Sequence, residues 1–205
     1  MATDHGIHWD QAYATRQQRE PRTKPSQFSV SVADQLKPDD VVLELGCGVG
    51  VDAVYLASRV RSVTAVDFAE KLINSNAEAF KQTNLVFMAC NITQDLNQFQ
   101  DAGFDAVYAR RSLHYFDEGT TKRVFNEIHR ILKPGGWLFF EGKSIHDPHV
   151  GQVAATGEVR HFFSESELQD WLADFEIERL AEEPAQDFYG FPSVFLTCWA
   201  RKKNS

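Results

Sequence analysis

The residues best suited to chemistry are the run Glu44-Leu45-Gly46-Cys47-Gly48-Val49-Gly50 and, seventeen residues after Gly50, Asp67. Three glycines at alternate positions let the backbone approach a ligand closely, because no Cβ stands in the way. The helix-like segment Asp52-Ala53-Val54-Tyr55-Leu56-Ala57 follows at once, and a helix N-terminus presents free N–H groups. Asp67 closes an apolar run. A carboxylate at the C-terminal edge of an open α/β sheet can hold two ribose hydroxyls. The set therefore predicts a site for a nucleotide-like ligand.

Such a site needs a sheet to carry it. The continuous apolar run from Val41 reads as a buried parallel strand. A second strand is expected over Ser62–Phe68, a helix from Ala69 to about Phe80, and a third strand over Asn84–Cys90. The polar stretch Thr93–Gly103 suits a short helix, and Phe104–Ala109 a fourth strand. Val124, Phe125, Ile128, Ile131 and Leu132 fall on one helical face, and Lys133-Pro134-Gly135-Gly136 is expected to stop that helix. A fifth strand follows at Trp137–Glu141, then a loop from Gly142 to Arg160. Ser164 and Glu167 read as a capping box. Phe175–Ala181 and Ser193–Ala200 are too closely connected for a crossover helix, so they are expected to pair antiparallel. The predicted fold is α/β: a three-layer sandwich on a Rossmann-like, seven-stranded, mostly parallel sheet that closes with an antiparallel hairpin. Residues 37–205 form one domain in this reading. Residues 1–36 form an arm packed on it, and Trp9, Tyr13, Arg16, Arg19 and Arg22 suit either a surface cover or a lid over the ligand cleft.

Composition narrows the classes. The chain has 205 residues, of which 43% are hydrophobic and 24% charged, with a net charge of −8. An acidic total argues against a nonspecific nucleic-acid binder, which needs basic surface to release counterions. The three cysteines, Cys47, Cys90 and Cys198, are scattered and form no CxxC, which fits a reducing compartment. The polar N-terminus and the lack of a long apolar run predict no signal peptide and no membrane span. The expected location is cytoplasmic.

Several features in series resemble the class I S-adenosylmethionine-dependent methyltransferases. They are Glu44 to Gly50, Asp67 closing the second strand, Asn91-Ile92 closing the third, Phe104-Asp105-Ala106-Val107 opening the fourth, and Leu132 to Gly136 before the fifth. The resemblance runs from about Pro38 to Arg201. It implies S-adenosylmethionine as the cofactor and S-adenosylhomocysteine as the product. By the same resemblance Gly46, Gly48 and Gly50 line the methionine part and the ribose. Cys47 belongs to this cofactor-binding loop and, with no histidine partner in sequence reach, reads as a small buried residue and not a nucleophile. Glu44 orients the methionine amine, and Asp67 accepts from both ribose hydroxyls. Phe68 lies along the adenine, Asn91 and Ile92 hold its edge, and Ala109 and Arg110 border the sulfonium and the acceptor. Many relatives carry Asp where Asn91 stands. The leader His8-Trp9-Asp10-x-x-Tyr13 and the run Gly50-x-Asp52-Ala53-x-x-Leu56-Ala57 look similar to the tellurite-resistance and thiopurine or thiol branch.

The acceptor side is expected after the fourth and fifth strands. His114 is the candidate base and Tyr115 a candidate substrate wall; Arg110, a candidate substrate contact, and Arg111 could bind an anionic substrate, or one of them could pair with a local carboxylate such as Asp117. Arg160 and His161 are candidates to close over the acceptor. His146, His149 and His161 lack tight ligand spacing, so no metal is expected. The expected partner is a small-molecule methyl acceptor, with no nucleic acid and no membrane. A protein or RNA methyltransferase is less favoured, because Ala109-Arg110-Arg111-Ser112 stands where an Asn-Pro-Pro-Tyr loop would serve amine methylation. A nicotinamide dehydrogenase would need glycine where Val51 stands. A non-catalytic cofactor binder of the same fold is the third alternative. The oligomeric state is not written in the sequence.

Overall fold

A computed structural model describes residues 9–15, 22–151 and 160–204. His8, Arg16, Arg19 and much of the Gly142–Arg160 loop lie outside the described residues. The chain divides into two compact units, Met1–Leu96 and Asn97–Ser205.

The first unit holds helix α1 (residues 9–15), α2 (Gln27–Ala33), β1 (Val41–Leu45), α3 (Val51–Ala57), β2 (Ser62–Asp67), α4 (Glu70–Ala79) and β3 (Leu85–Ala89). β1 and β3 both pair parallel with β2, putting Leu45 opposite Val66 and Asp67 opposite Ala89. Val42, Leu43 and Leu45 are fully buried, as the unbroken apolar run of β1 requires. Ser26 caps α2 by accepting from the Ser29 N–H. Asp52, in the first turn of α3, ties that cap down. It pairs with Arg22 and accepts from the Ser26 N–H at 2.7 Å and the Ser29 hydroxyl at 2.9 Å.

The second unit holds β4 (Phe104–Arg110), α5 (Glu118–Ile131), β5 (Leu132–Lys143), α6 (Glu165–Trp171), β6 (Phe175–Gln186) and β7 (Pro192–Lys202). β4 and β5 are parallel; β5 with β7 and β7 with β6 are antiparallel, as the closing hairpin was expected to be. The strand order of the seven-stranded sheet is β3-β2-β1-β4-β5-β7-β6, a Rossmann-like α/β arrangement.

Three local expectations are corrected. Lys133-Pro134-Gly135-Gly136 does not lie between helix and strand: β5 starts at Leu132, directly after α5. Pro134 bars Lys133 from helical geometry, so the chain leaves the helix early and the glycines shape an irregular strand start. The strand also runs on to Lys143, past the expected loop start at Gly142. The capping box is half formed. Ser164 accepts from the Glu167 N–H at 3.1 Å, but the Glu167 carboxylate pairs with His161 Nε2 at 2.9 Å. Among the described residues no helix is long and apolar enough to cross a membrane.

Candidate functional site

In the first unit the loop after β1 is made by its glycines. Gly46, Gly48 and Gly50 have φ of 75°, 53° and 75°, the left-handed region that favours glycine. The N–H groups of Gly46 and Cys47 donate to the Val66 carbonyl at 2.8 and 2.9 Å, which fixes the loop to β2. Crowding reinforces the choice of residue. A Cβ on Gly48 would lie 2.7 Å from the Tyr13 hydroxyl, and one on Gly50 would lie 2.8 Å from the Phe87 ring. The Gly48 carbonyl accepts from buried Asn76 Nδ2 at 2.7 Å.

Asp67 ends β2 with 6% of its surface exposed. Its Oδ2 accepts from the Gly48 N–H at 2.9 Å and its Oδ1 from the Ala69 N–H at 3.0 Å. A carboxylate has about four lone-pair sites, so each oxygen keeps capacity for a hydroxyl. No cation among the described residues pairs with it. Burial pushes its pKa up, more than the backbone bonds bring it down, and Asp10 adds to the rise. Bare backbone and an uncompensated carboxylate fit the ribose and methionine portion of S-adenosylmethionine.

The other expected cofactor residues of this unit are in varied states. Glu44 and Ile92 are buried and Phe68 is half-buried. Asn91 directs its side-chain oxygen to its own turn, accepting from the Thr93 N–H at 3.1 Å and hydroxyl at 2.8 Å. Burial, with Asp67 and Glu44 nearby, raises the Cys47 thiol well above its ordinary value, so it stays protonated and is no nucleophile.

The second unit gathers the acceptor-side candidates. Ala109 is buried in β4, and Arg110 ends that strand. Arg110 and Arg111 share Glu141 of β5: Arg110 Nε is 3.2 Å from Oε1, and Arg111 pairs with the same oxygen. Asp117, the alternative partner in sequence, instead caps α5 by accepting from the Thr120 N–H at 2.9 Å. Arg111 adopts φ 56°, costly for a residue with a Cβ, and lays its guanidinium 3.7 Å over the Phe195 ring.

His114 sits on the short 3-10 turn Leu113–Tyr115 and is 1% exposed. Its ring lies 4.3 Å from that of Tyr115 and 6.3 Å from Phe195. Nδ1 has no hydrogen-bond partner among the described residues. Burial, then the charges of Lys143, Arg160 and Arg111, hold its pKa well below the ordinary imidazole value. It is therefore neutral at pH 7. The His161 N–H donates to the His114 carbonyl at 3.0 Å, and next to it Arg160 lies 5.6 Å over the Tyr115 ring.

Below this cluster is a buried lysine that sequence reading missed. Lys143 Nζ meets Asp147 at 3.1 Å, the Ser193 hydroxyl at 2.7 Å and Asp187 at 3.7 Å. The three loop histidines are each engaged: His146 with Glu182, His149 with Asp147, His161 with Glu167. Among the described residues no three metal-binding side chains gather. Glu141, Lys143, Asp147 and Asn76 all escaped the sequence reading. Asn76 alone left a signal, a polar residue three positions after buried Ile73 on the inward face of α4.

Residues 42–136 match the methyltransferase domain family. Phosphoethanolamine N-methyltransferase 1 of Triticum aestivum is 31% identical over 107 residues, 51% of this chain and 22% of that protein. A ubiquinone biosynthesis O-methyltransferase of Chromobacterium violaceum is 30% identical over 100 residues, 48% of this chain and 42% of its own. The chain thus spans less than half the length of these curated relatives. In structure it resembles an S-adenosylmethionine-dependent methyltransferase from Methanosarcina mazei, at TM-score 0.73 and 24% identity, covering 85% of this chain and 98% of the other. One relative is named for N-methylation and another for O-methylation, so likeness alone does not choose the acceptor atom. Nor do these relatives place the chain in the tellurite-resistance or thiol branch.

Proposed function

We propose that the chain, whose residues 42–136 match the methyltransferase domain family and whose fold resembles an S-adenosylmethionine-dependent methyltransferase, is a class I S-adenosylmethionine-dependent methyltransferase that methylates a small-molecule acceptor by in-line displacement. The observation that carries the cofactor half is Asp67: buried, without a cation among the described residues, and hydrogen-bonded to the Gly48 N–H at 2.9 Å in a left-handed glycine loop. When bound, S-adenosylmethionine supplies a methyl group already activated on a sulfonium. Asp67 takes the ribose hydroxyls, the bare backbone of Gly46 to Gly50 admits the methionine part, and Glu44 orients its amine. Phe68, Asn91 and Ile92 border the adenine. α1, whose Tyr13 lies against Gly48, covers the loop, so residues 1–36 act as a lid on a domain of residues 37–205.

The protein's part in such a transfer is alignment and exclusion of water, with alignment alone worth up to ~7–11 kcal/mol. His114 takes a proton from the acceptor where one must leave. A neutral, buried imidazole whose Nδ1 has no partner among the described residues can take up a proton at pH 7. Tyr115 and Arg110 border the acceptor, Ala109 the sulfonium. The location that suits this reading is the cytoplasm.

The test has two parts. S-adenosylhomocysteine at millimolar concentration raises the melting temperature; no shift would remove the cofactor reading. Production of S-adenosylhomocysteine against thiols, phenols, amines and carboxylates then separates an enzyme from a cofactor binder. Activity on RNA or protein alone would favour the macromolecular alternative. His114→Ala lowers turnover by about a hundredfold or more while cofactor affinity is kept. Equal losses in both would make His114 structural.

A further inference from the structure

Three cations of the second unit act on His114, Lys143, Arg160 and Arg111, and one of them has no carboxylate of its own among the described residues. Lys143 is matched by Asp147 at 3.1 Å and Asp187 at 3.7 Å. Arg111 is matched by Glu141. Arg160 pairs with no carboxylate among the described residues, and its buried Nε meets no acceptor there. Yet it is held in place, 5.6 Å over the Tyr115 ring, by a segment whose next residue donates to the His114 carbonyl at 3.0 Å.

The surroundings form a built site. Tyr115 and Phe195 flank the His114 ring at 4.3 and 6.3 Å. The two cations lie over those two rings, Arg160 on Tyr115 at 5.6 Å and Arg111 on Phe195 at 3.7 Å. His114 is 1% exposed, and its Nδ1 is a second polar atom without a partner among the described residues. Two orphaned nitrogens, one on a fixed cation and one on a neutral imidazole, call for a ligand with a negative group and a proton to share with the tautomer whose Nδ1 accepts. An unmatched guanidinium in such a place is costly unless an oxyanion joins it. A planar guanidinium also suits carboxylate and phosphate oxygens better than any neutral group.

We propose that the methyl acceptor carries an oxyanion, a carboxylate or a phosphate, which Arg160 binds with support from Arg111, while its reactive O–H or N–H donates to His114 Nδ1. Tyr115 and Phe195 wall the acceptor's body. This rests on the methyltransferase reading above and gives that acceptor its chemical class. In the transfer the acceptor's lone pair forms the new bond to the methyl carbon. The carbon–sulfur bond breaks, its electrons stay on sulfur as a neutral thioether, and the acceptor's proton passes to Nδ1 and then to water. No oxidant or further reactant is needed.

The test uses the full chain and direct binding, so that it does not depend on turnover. Titration with 4-hydroxybenzoate and phenyl phosphate is compared with the neutral 4-hydroxybenzamide and the cationic benzylamine. The oxyanions should bind at least about tenfold more tightly than either comparison probe, as loss of a charge-assisted bond implies. The ranking of the two oxyanions separates carboxylate from phosphate. Arg160→Gln should remove that preference, Arg160→Lys should restore part of it, and Lys81→Gln, a surface cation of the first unit, should leave it intact. Equal binding of all four probes would overturn the proposal, as would an anion preference that survives Arg160→Gln or falls as much with Lys81→Gln. S-adenosylhomocysteine binding, followed separately by melting temperature, keeps the two readings apart. Cofactor binding without anion preference sinks this inference alone; anion preference without cofactor binding sinks the methyltransferase reading and leaves an anion-binding site.

Discussion

Asp67 in the glycine loop and Asp147 beside Lys143 are both buried aspartates, 6% and 3% exposed, and they behave in opposite ways. Asp67 has backbone N–H donors but no cation among the described residues, and burial raises its pKa. Burial also pushes the Asp147 carboxyl up. There, however, Ser193, the His149 backbone, Lys143 and the Val194 backbone outweigh it and bring the value down to about 2. One region has satisfied its charge from its own chain, which is what structural carboxylates require. The other holds a carboxylate that backbone donors alone answer among the described residues. Burial alone therefore does not tell a binding carboxylate from a scaffold carboxylate; the identity of the donors does.

The comparison is broken most easily at Asp147. Asp147→Asn strips the nearest charge from Lys143, which then keeps only Asp187 at 3.7 Å. Removing one partner of a buried pair costs about 3–5 kcal/mol, because the other charge stays buried. A urea unfolding midpoint should show a loss on that scale, with S-adenosylhomocysteine affinity kept in the fraction that remains folded. A loss under about 1 kcal/mol would mean that the network does not hold the second unit together.

Asp67→Ala should do the reverse. It should weaken S-adenosylhomocysteine at least about tenfold, since charge-assisted bonds to the ribose are lost, and cost less stability than the change at Asp147. Calorimetric affinity beside the same urea titration would decide. If stability fell further than binding, Asp67 would belong with Asp147 as scaffold.

The two carboxylates also predict opposite pH behaviour. The Asp147 value lies below that of the unfolded chain. Its contribution to stability is present above the ordinary 3.8 and is lost as pH falls through about 2. The Asp67 value lies above 3.8, so its contribution to the cofactor-free chain is present in acid and lost as pH rises through the raised value. Cofactor affinity should run the other way, falling on acidification as Asp67 gains a proton. His114 adds a third sign. Its depressed value favours stability above the ordinary 6.5, lost as pH falls through the lower folded value, and the acid limb of turnover should lie below 6.5. Chemical unfolding and cofactor titration carried from pH 8 down through about pH 2 read all three.

What the sequence disclosed follows the same division. The glycine loop and Asp67 were legible because their geometry is local: a strand, a left-handed turn, a helix, and a carboxylate at the end of the next strand. Glu141, Lys143 and Asp147 were not legible, since their meaning comes from β7 and from Arg110 and Arg111, remote in the chain. The hairpin was legible as a pairing but not in extent. β6 was expected to stop at Ala181 and continues to Gln186, with Pro184 opposite Val194. β6 is the outer strand of the order. An edge strand tolerates the prolines and charges that would rule out a central one. Asn91 was legible as a strand-end residue, while its use of the side-chain oxygen on Thr93 was hidden behind an adenine role.

The finest test of the contrast lies at Asp10, on α1. Its Oδ1 accepts from the Leu72 N–H at 3.3 Å, a long bond, and its charge contributes to the rise at Asp67. Asp10→Asn keeps the size and removes the charge. The pH at which cofactor affinity falls should then move lower, while affinity at neutral pH changes by less than about twofold, as expected for a partly exposed charge. The direction matters more than the size. If α1 covers the loop with cofactor bound, the shift should appear both in the free protein and in the complex. A shift confined to the free protein would mean that α1 leaves the loop when the ligand enters, and Tyr13 would then be a displaced occupant of the glycine loop instead of its lid.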